Sequence, residues 1–172
     1  GLDVSAPVWG GDSRQDSVRL GLEHIAGSKP DRVLIHDAAR PFVSEDVISR
    51  VLDALDSQPG AVPALPVTDT LKRGENGMVA ATIARENLWR AQTPQGFRFA
   101  DILAAHATLA GEALTDDAAL AERAGLDVTI VDGSERNMKI TTIEDLERAE
   151  AATSSQIAEY RTGMGYDVHQ FG

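Results

Sequence analysis

Cysteine is missing from all 172 residues. Its absence excludes disulfides, thiolate nucleophiles and Cys-ligated zinc, and fits a reducing compartment. No apolar run approaches the roughly 20 residues of a membrane-crossing helix, so a soluble, cytoplasmic protein without membrane contact is expected. Positive charge is scarce: 16 Lys and Arg against 27 Asp and Glu leave a formal net charge of −11. Such a field repels phosphate backbones and argues against DNA or RNA binding, while local cations can still hold a small anionic substrate. No Gly-x-Ser-x-Gly elbow is present, which argues against Ser-His-Asp hydrolysis. The chain has no internal repeat and no low-complexity segment. Gly1-Leu2-Asp3-Val4 has no Met and no signal-peptide pattern, and the chain stops at Val168-His169-Gln170-Phe171-Gly172 directly after a strand-like run. Both ends read as cut, and a piece of a longer chain is expected.

What is present reads as alternating strands and helices. Hydrophobic residues are 42% of the chain, enough for one domain with a core. Pro7 to Trp9 reads as the tail of a strand, followed by a turn at Gly10-Gly11-Asp12-Ser13. Val18, Leu22 and Ile25 fall at helical spacing, and Val33 to Ile35 is a buried strand. Ser44 caps a helix carrying Val47, Val51 and Leu55, which Gln58-Pro59-Gly60 stops before a strand at Ala61 to Val67. Asp69 to Arg85 reads as a polar β-hairpin arm turning at Glu75-Asn76-Gly77. A short strand from Leu88 to Gln92 ends at Thr93-Pro94-Gln95-Gly96. Helices follow from Phe99 and from Thr115, strands at Val128 to Val131 and at Met138 to Ile140, and a helix capped by Thr142-Ile143-Glu144-Asp145 that runs to about Tyr160. The expected fold is α/β, a mostly parallel sheet of Rossmann-like kind with helices on both faces.

Polar residues gather where these strands end. His36-Asp37-Ala38-Ala39-Arg40-Pro41 follows a buried strand, and the carboxyl edge of a parallel sheet is where ligands bind. A carboxylate there suits Mg²⁺, and the planar fork of Arg40 suits phosphate or carboxylate. Gly11, Asp12, Ser17, Thr70, Lys72, Thr93, Gln95 and Lys139 stand at or near other strand ends. The set suits phosphoryl or nucleotidyl transfer. Each member also has a plainer reading. The loop after Ile35 can simply close a strand, Asp12 suits a turn or cap, and Ser17 a solvated helix face. Thr70 and Arg85 suit arm surface, Lys139 a pairing with Glu135, and Thr115-Asp116-Asp117 a helix N-cap. His24 and His106 read as helix-surface residues.

Seven segments occur in one order: Gly10 to Val18, His36 to Pro41, Pro66 to Lys72, Arg85 to Trp89, Thr93-Pro94-Gln95, Thr115 to Ala118 and Asn137 to Thr141. Together they resemble the methylerythritol phosphate cytidylyltransferase family of non-mevalonate isoprenoid synthesis, over about residues 5 to 150. The tail, Arg161 to Phe171, resembles the opening strand of methylerythritol cyclodiphosphate synthase. In that second family an Asp-x-His pair binds a divalent metal, usually zinc. Strand alternation puts Asp167 and His169 on one face, which suits shared ligation.

The resemblance implies a nucleotide-diphospho-sugar transferase fold and transfer of a cytidylyl group from CTP to methylerythritol phosphate, with pyrophosphate released. Gly11, Asp12 and Ser17 would contact cytosine. Asp37 would lie beside Mg²⁺ and the reacting phosphates, with Ala38 and Arg40 in its substrate-binding loop. Thr93 and Thr115 would hold methylerythritol phosphate, and Lys139 would neutralise phosphate charge. Thr70 and Arg85 would act from an arm, residues 69–85, that crosses to a partner subunit of a homodimer. The implied division is a cytidylyltransferase domain at 1–152, a helical linker at 153–160 and the first strand of a cyclase at 161–172, within a parent that also forms the cyclodiphosphate with loss of CMP. The family's glycine-rich loop and its triphosphate-gripping Arg and Lys lie upstream of residue 1, so the chain alone is expected to be inactive. Two other readings stay open: a ribitol phosphate type of cytidylyltransferase on the same fold, and a non-catalytic dimerisation module.

Overall fold

The computed structural model describes residues 6–112 and 114–154. They fall in two compact units that divide between Met138 and Lys139. In the first unit, helix α1 (Arg14–Ile25) is capped by Ser13, whose hydroxyl accepts from the Asp16 N–H. Strand β1 (Arg32–Ile35) leads to helix α2 (Glu45–Ala54), capped as expected by Ser44, whose hydroxyl accepts from Val47 N–H. Strand β2 (Gly60–Pro66) precedes the hairpin of β3 (Leu71–Glu75) and β4 (Met78–Ile83). Asn76 and Gly77 take φ of 50° and 78°, the left-handed pair that a two-residue hairpin turn requires. Strands β5 (Trp89–Ala91) and β6 (Gln95–Arg98), helices α3 (Phe99–Thr108) and α4 (Asp117–Arg123), and strand β7 (Val128–Asp132) complete the unit.

The α/β class and the helices on both faces hold. Alternation along β1 sends Val33 and Ile35 into a cluster with Leu22, Phe97, Ile102 and Leu120 from the α1, α3 and α4 side. Leu34 joins Val51, Leu55 and Ala61 on the α2 side. The pairing, however, is mixed rather than mostly parallel. β2 and β7 pair in parallel, but β6 lies between β1 and β2 and runs antiparallel to both. β5 is likewise antiparallel to β2. The hairpin of β3 and β4 is a separate two-stranded sheet.

β6 occupies residues that read as a turn, because Thr93-Pro94-Gln95-Gly96 has turn composition. Gly96 is there for packing: a Cβ on it would stand 2.4 Å from Val51 Cγ1 and 3.0 Å from Leu34 Cδ2. Its bare backbone lets α2 close onto the sheet. Pro7 to Trp9 forms no strand, and Trp9 is 93% exposed. Met138 to Ile140 is also outside any strand.

The second unit holds α5 (Ile143–Ser154). Its expected cap is present. Asp145 N–H donates to Thr142 Oγ1 at 3.2 Å, and Thr142 N–H donates back to Asp145 Oδ2 at 3.1 Å. Backbone hydrogen bonding from Thr141, then the Arg148 guanidinium, holds the Asp145 carboxyl well below the usual carboxylate range. The linker expected at 153–160 and the expected strand at 161–172 lie almost wholly outside the described residues.

Gly96→Ala is expected to destabilise the intact protein by about 1–3 kcal/mol, through the forced displacement of Val51 and Leu55. Urea denaturation checks this; an unchanged midpoint would mean that α2 shifts without cost.

Candidate active site at the carboxyl end of β1

β1 delivers His36 and Asp37 to its carboxyl end, and the chain turns at once. Arg40 N–H donates to the Asp37 carbonyl at 2.9 Å. Asp37 N–H donates to Thr93 Oγ1, also at 2.9 Å. His36 Nδ1 lies 3.0 Å from the same hydroxyl, and its Nε2 lies 3.0 Å from the Arg40 carbonyl. A carbonyl only accepts, so Nε2 carries a proton; in the neutral ring Nδ1 then accepts from Thr93. Ala38 sits exposed at the tip of this turn.

A buried amide network holds the loop from beneath. Asn137 Nδ2 donates to the Thr93 carbonyl at 2.8 Å, and Arg40 Nη1 donates to the Asn137 carbonyl at 2.8 Å. Gln92 Nε2 donates to the Ser134 carbonyl at 2.9 Å and its Oε1 accepts from Ser134 N–H at 3.1 Å. The segment after β7 is thereby tied to the segment that starts β6, and both support Asp37. Asn137 and Gln92 are buried and carry no signal of this role in the sequence beyond their amide chemistry.

Two guanidinium groups flank the carboxylate. Arg40 Nε stands 3.8 Å from Asp37 Oδ2, and Arg14 Nη2 stands 4.0 Å from Asp37 Oδ1. Burial lowers the pKa of Arg40 and outweighs the attraction of Asp37. Arg14, the first residue of α1, also donates to Asp117 Oδ2 at 2.7 Å. Burial opposes its charge, but Asp117 and Asp37 together raise its pKa. Asp117 in turn lies 3.3 Å from His106 Nε2, with both side chains almost wholly buried. Burial would raise the Asp117 pKa, but His106 and Arg14 prevail and lower it. His106 is therefore a core residue, contrary to the surface position expected; His24 is exposed as expected. The N-cap of α4 is Asp116, which accepts from Ala119 N–H and so leaves Asp117 for the buried pair.

The other expected site residues are placed as follows. Ser17 Oγ donates to the Ser13 carbonyl at 2.9 Å and accepts from Gly11 N–H at 3.1 Å, shaping the exposed turn of Gly11 and Asp12. A Cβ on Gly11 would meet Asp16 Cβ at 2.4 Å, so the turn needs glycine there. Thr93 is buried at the centre of the loop, whereas Thr115 is exposed beside Asp116. Gln95 joins those two regions: its Nε2 donates to Asp116 Oδ2 at 2.8 Å and its Oε1 accepts from Ala118 N–H at 2.9 Å. Thr70 and Arg85 are exposed on the hairpin, and Arg85 donates to the Thr68 carbonyl. Lys139 belongs to the second unit and is exposed. Asp167 and His169 lie outside the described residues.

Among the described residues, no three His, Asp or Glu side chains converge as a metal cage. Asp37 offers one part-exposed carboxylate. That fits Mg²⁺, which keeps most of its waters and is commonly held by one or two carboxylates plus substrate phosphates.

The family model described as 2-C-methyl-D-erythritol 4-phosphate cytidylyltransferase matches residues 4–155. A protein of Paramagnetospirillum magneticum named "Bifunctional enzyme IspD/IspF" is 58% identical over 99% of this chain and 44% of its own length. A protein of the same name from Rhodospirillum rubrum is 59% identical over 96% of this chain and 43% of its own length. This chain thus spans less than half the length of those curated relatives. Among solved structures, 2-C-methyl-D-erythritol 4-phosphate cytidylyltransferase from Thermus thermophilus superposes with a TM-score of 0.80 at 38% identity, over 90% of this chain and 79% of that one. The bifunctional IspDF of Campylobacter jejuni gives 0.70 at 30% identity, over 82% and 36%.

The lowered pKa of Asp117 carries a pH signature. Folding favours its ionised form, so its contribution is complete above the unfolded value of about 3.9 and is lost as pH falls through the lower native value. Asp117→Asn is expected to cost about 1–3 kcal/mol at neutral pH, by removing the charge that pairs with the half-exposed Arg14 and faces the buried His106. It should also flatten the loss of stability below about pH 4. Denaturation midpoints measured from pH 7 to pH 2 check both; parallel curves for the two proteins would refute the assignment.

Proposed function

The chain belongs to the 2-C-methyl-D-erythritol 4-phosphate cytidylyltransferase family, and from that premise we propose that the intact protein of which it forms part transfers a cytidylyl group from CTP to 2-C-methyl-D-erythritol 4-phosphate. A phosphate oxygen of the sugar alcohol attacks the α-phosphorus of CTP, the bond to the β-phosphate oxygen breaks, and pyrophosphate leaves. The observation that carries this reading is Asp37 at the carboxyl end of β1, flanked by Arg14 and Arg40. Oppositely charged groups held rigidly at one point suit a reaction in which positioning and charge stabilisation do most of the work.

Asp37 would hold Mg²⁺ together with the nucleotide phosphates. When bound, that ion supplies charge neutralisation at the transferring phosphoryl group. Gly11, Asp12 and Ser17 form the turn assigned to cytosine, with Ala38 and Arg40 in the Asp37 loop. Thr93 and Thr115 are assigned to the sugar phosphate. Lys139 keeps the catalytic role implied by the resemblance. The parent protein also carries the cyclase activity, supported by the bifunctional relatives. Asp167 and His169 would bind a divalent metal, zinc by that resemblance. A cytoplasmic location follows from this metabolic role.

The arm supports a homodimer. Met78 and Val79 are 74% and 67% exposed on a hairpin that forms its own two-stranded sheet. Large apolar side chains displayed there suit burial against a second copy. Thr70 and Arg85 would then complete the partner's site.

Pyrophosphate release by the intact protein, supplied with CTP, Mg²⁺ and methylerythritol phosphate, tests the reading. Ribitol phosphate and ATP serve as controls. Release should require both named substrates and fall about 10²–10³-fold in Asp37→Asn. Equal rates with ribitol phosphate would move the assignment to that substrate, and an unaffected Asp37→Asn would remove the site.

A double change, Met78→Asp with Val79→Asp, is expected to shift the protein from dimer to monomer in analytical ultracentrifugation. A dimer that survives both charges would place the interface elsewhere.

A further inference from the structure

Arg14 is held in a way that a surface tie does not require. Its partner, Asp117, is 1% exposed, and behind Asp117 stands His106, fully buried on α3. Three helices therefore contribute one side chain each: α1 the guanidinium, α4 the carboxylate and α3 the imidazole. Burying the Asp117 carboxylate costs desolvation that its attraction to Arg14 barely returns, and apolar side chains of similar volume hold helices together equally well. What the charged pair adds is direction. Arg14 Nη2 stands between two carboxylates, 2.7 Å from Asp117 and 4.0 Å from Asp37. Its side chain is 42% exposed, so a ligand at Asp37 can meet it. A free arginine side chain has several rotatable bonds and the rotamer entropy that goes with them to lose. Anchoring one end of the fork in the core removes that cost before the ligand arrives.

On the reading that this is a cytidylyltransferase site, we infer that Asp117, backed by His106, is a positioning residue that holds the Arg14 guanidinium beside Asp37 to receive nucleotide phosphate. Arg14 is the group that touches substrate, and Asp117 and His106 act through it. The role differs from that of Arg40, which is 12% exposed and fastened to the Asn137 carbonyl inside the loop.

The test compares four intact proteins, wild type, Arg14→Ala, Asp117→Asn and the double variant, in pyrophosphate release per folded molecule. Circular dichroism gives the folded fraction. Arg14→Ala is expected to lower kcat/KM for CTP about a hundredfold. Asp117→Asn is expected to lower it about tenfold, and the double variant no further than Arg14→Ala alone. Losses that multiply, or an Arg14→Ala protein within about twofold of wild type, overturn the inference. Added guanidinium ion gives a readout that a structural role would not move. It should restore part of the rate to Arg14→Ala, whose Asp117 anchor is intact, and none to the double variant; equal responses count against the anchor. Should Asp117→Asn not fold, His106→Asn takes its place in the same four-way comparison with the same two outcomes. A wild type inert with CTP and methylerythritol phosphate sinks the functional reading and this inference with it. An active wild type with unmoved variants sinks this inference alone.

Discussion

One hydroxyl organises the loop on which the site depends. Thr93 Oγ1 receives the Asp37 N–H and meets His36 Nδ1, while the carbonyl of the same residue receives Asn137. Thr93 is 5% exposed, so these groups have little water to fall back on. An unmet buried donor costs more than its hydrogen bond contributes when made. The direction of the Asp37 side chain is therefore set through its backbone, by partners that are far away in sequence and close in space. The His36 ring closes the circuit by reaching the Arg40 carbonyl, so strand end, turn and β6 approach are tied together.

The acidity of the whole chain is compatible with a pair of cations at one point because charge acts locally. At physiological salt, exposed charges beyond about 8 Å are largely screened. The positive charge beside Asp37 comes from Arg14 and Arg40, which precede and follow β1 in the chain. They do different work. Burial and the Asn137 carbonyl make Arg40 part of the loop's frame, and its charge is the more weakly held of the two. Arg14 has its charge reinforced by Asp117 and Asp37 and remains open to solvent. A framework cation and a solvent-facing cation thus share one carboxylate.

Helices, the hairpin and the loop after Ile35 were legible because each has a local cause. Apolar spacing marks α1 and α2, Ser44 and Thr142 satisfy cap chemistry, and Asn76-Gly77 supplies the left-handed turn. The illegible parts have causes remote in sequence. Thr115-Asp116-Asp117 reads as a cap, and Asp116 is one; nothing local says that Asp117 is to be buried against Arg14 and His106. His106 sits in a helix of alanines, where a buried imidazole and an exposed one give the same pattern. Asn137 stands within a recognisable motif, yet its service to Thr93 and Arg40 depends on a loop more than 40 residues away.

The reversed strand is the deepest of these. The sequence leads to a mostly parallel sheet with Thr93 at the carboxyl end of a strand, and β5 does end just before it. Thr93 also precedes β6, however, and β6 pairs antiparallel with β1 so that Gln95 stands opposite Ile35. Antiparallel pairing puts the beginning of one strand beside the end of its neighbour. Were β6 parallel to β1 over the same span, Thr93 would sit at the opposite edge, roughly 23 Å away along seven residues at about 3.3 Å each. It could not receive the Asp37 N–H. The proximity of Thr93 to Asp37 comes from reversal of direction rather than from a common carboxyl edge. A glycine at position 96 lets α2 cover the inserted strand. The same inversion that breaks the parallel order of the sheet is thus what assembles its site.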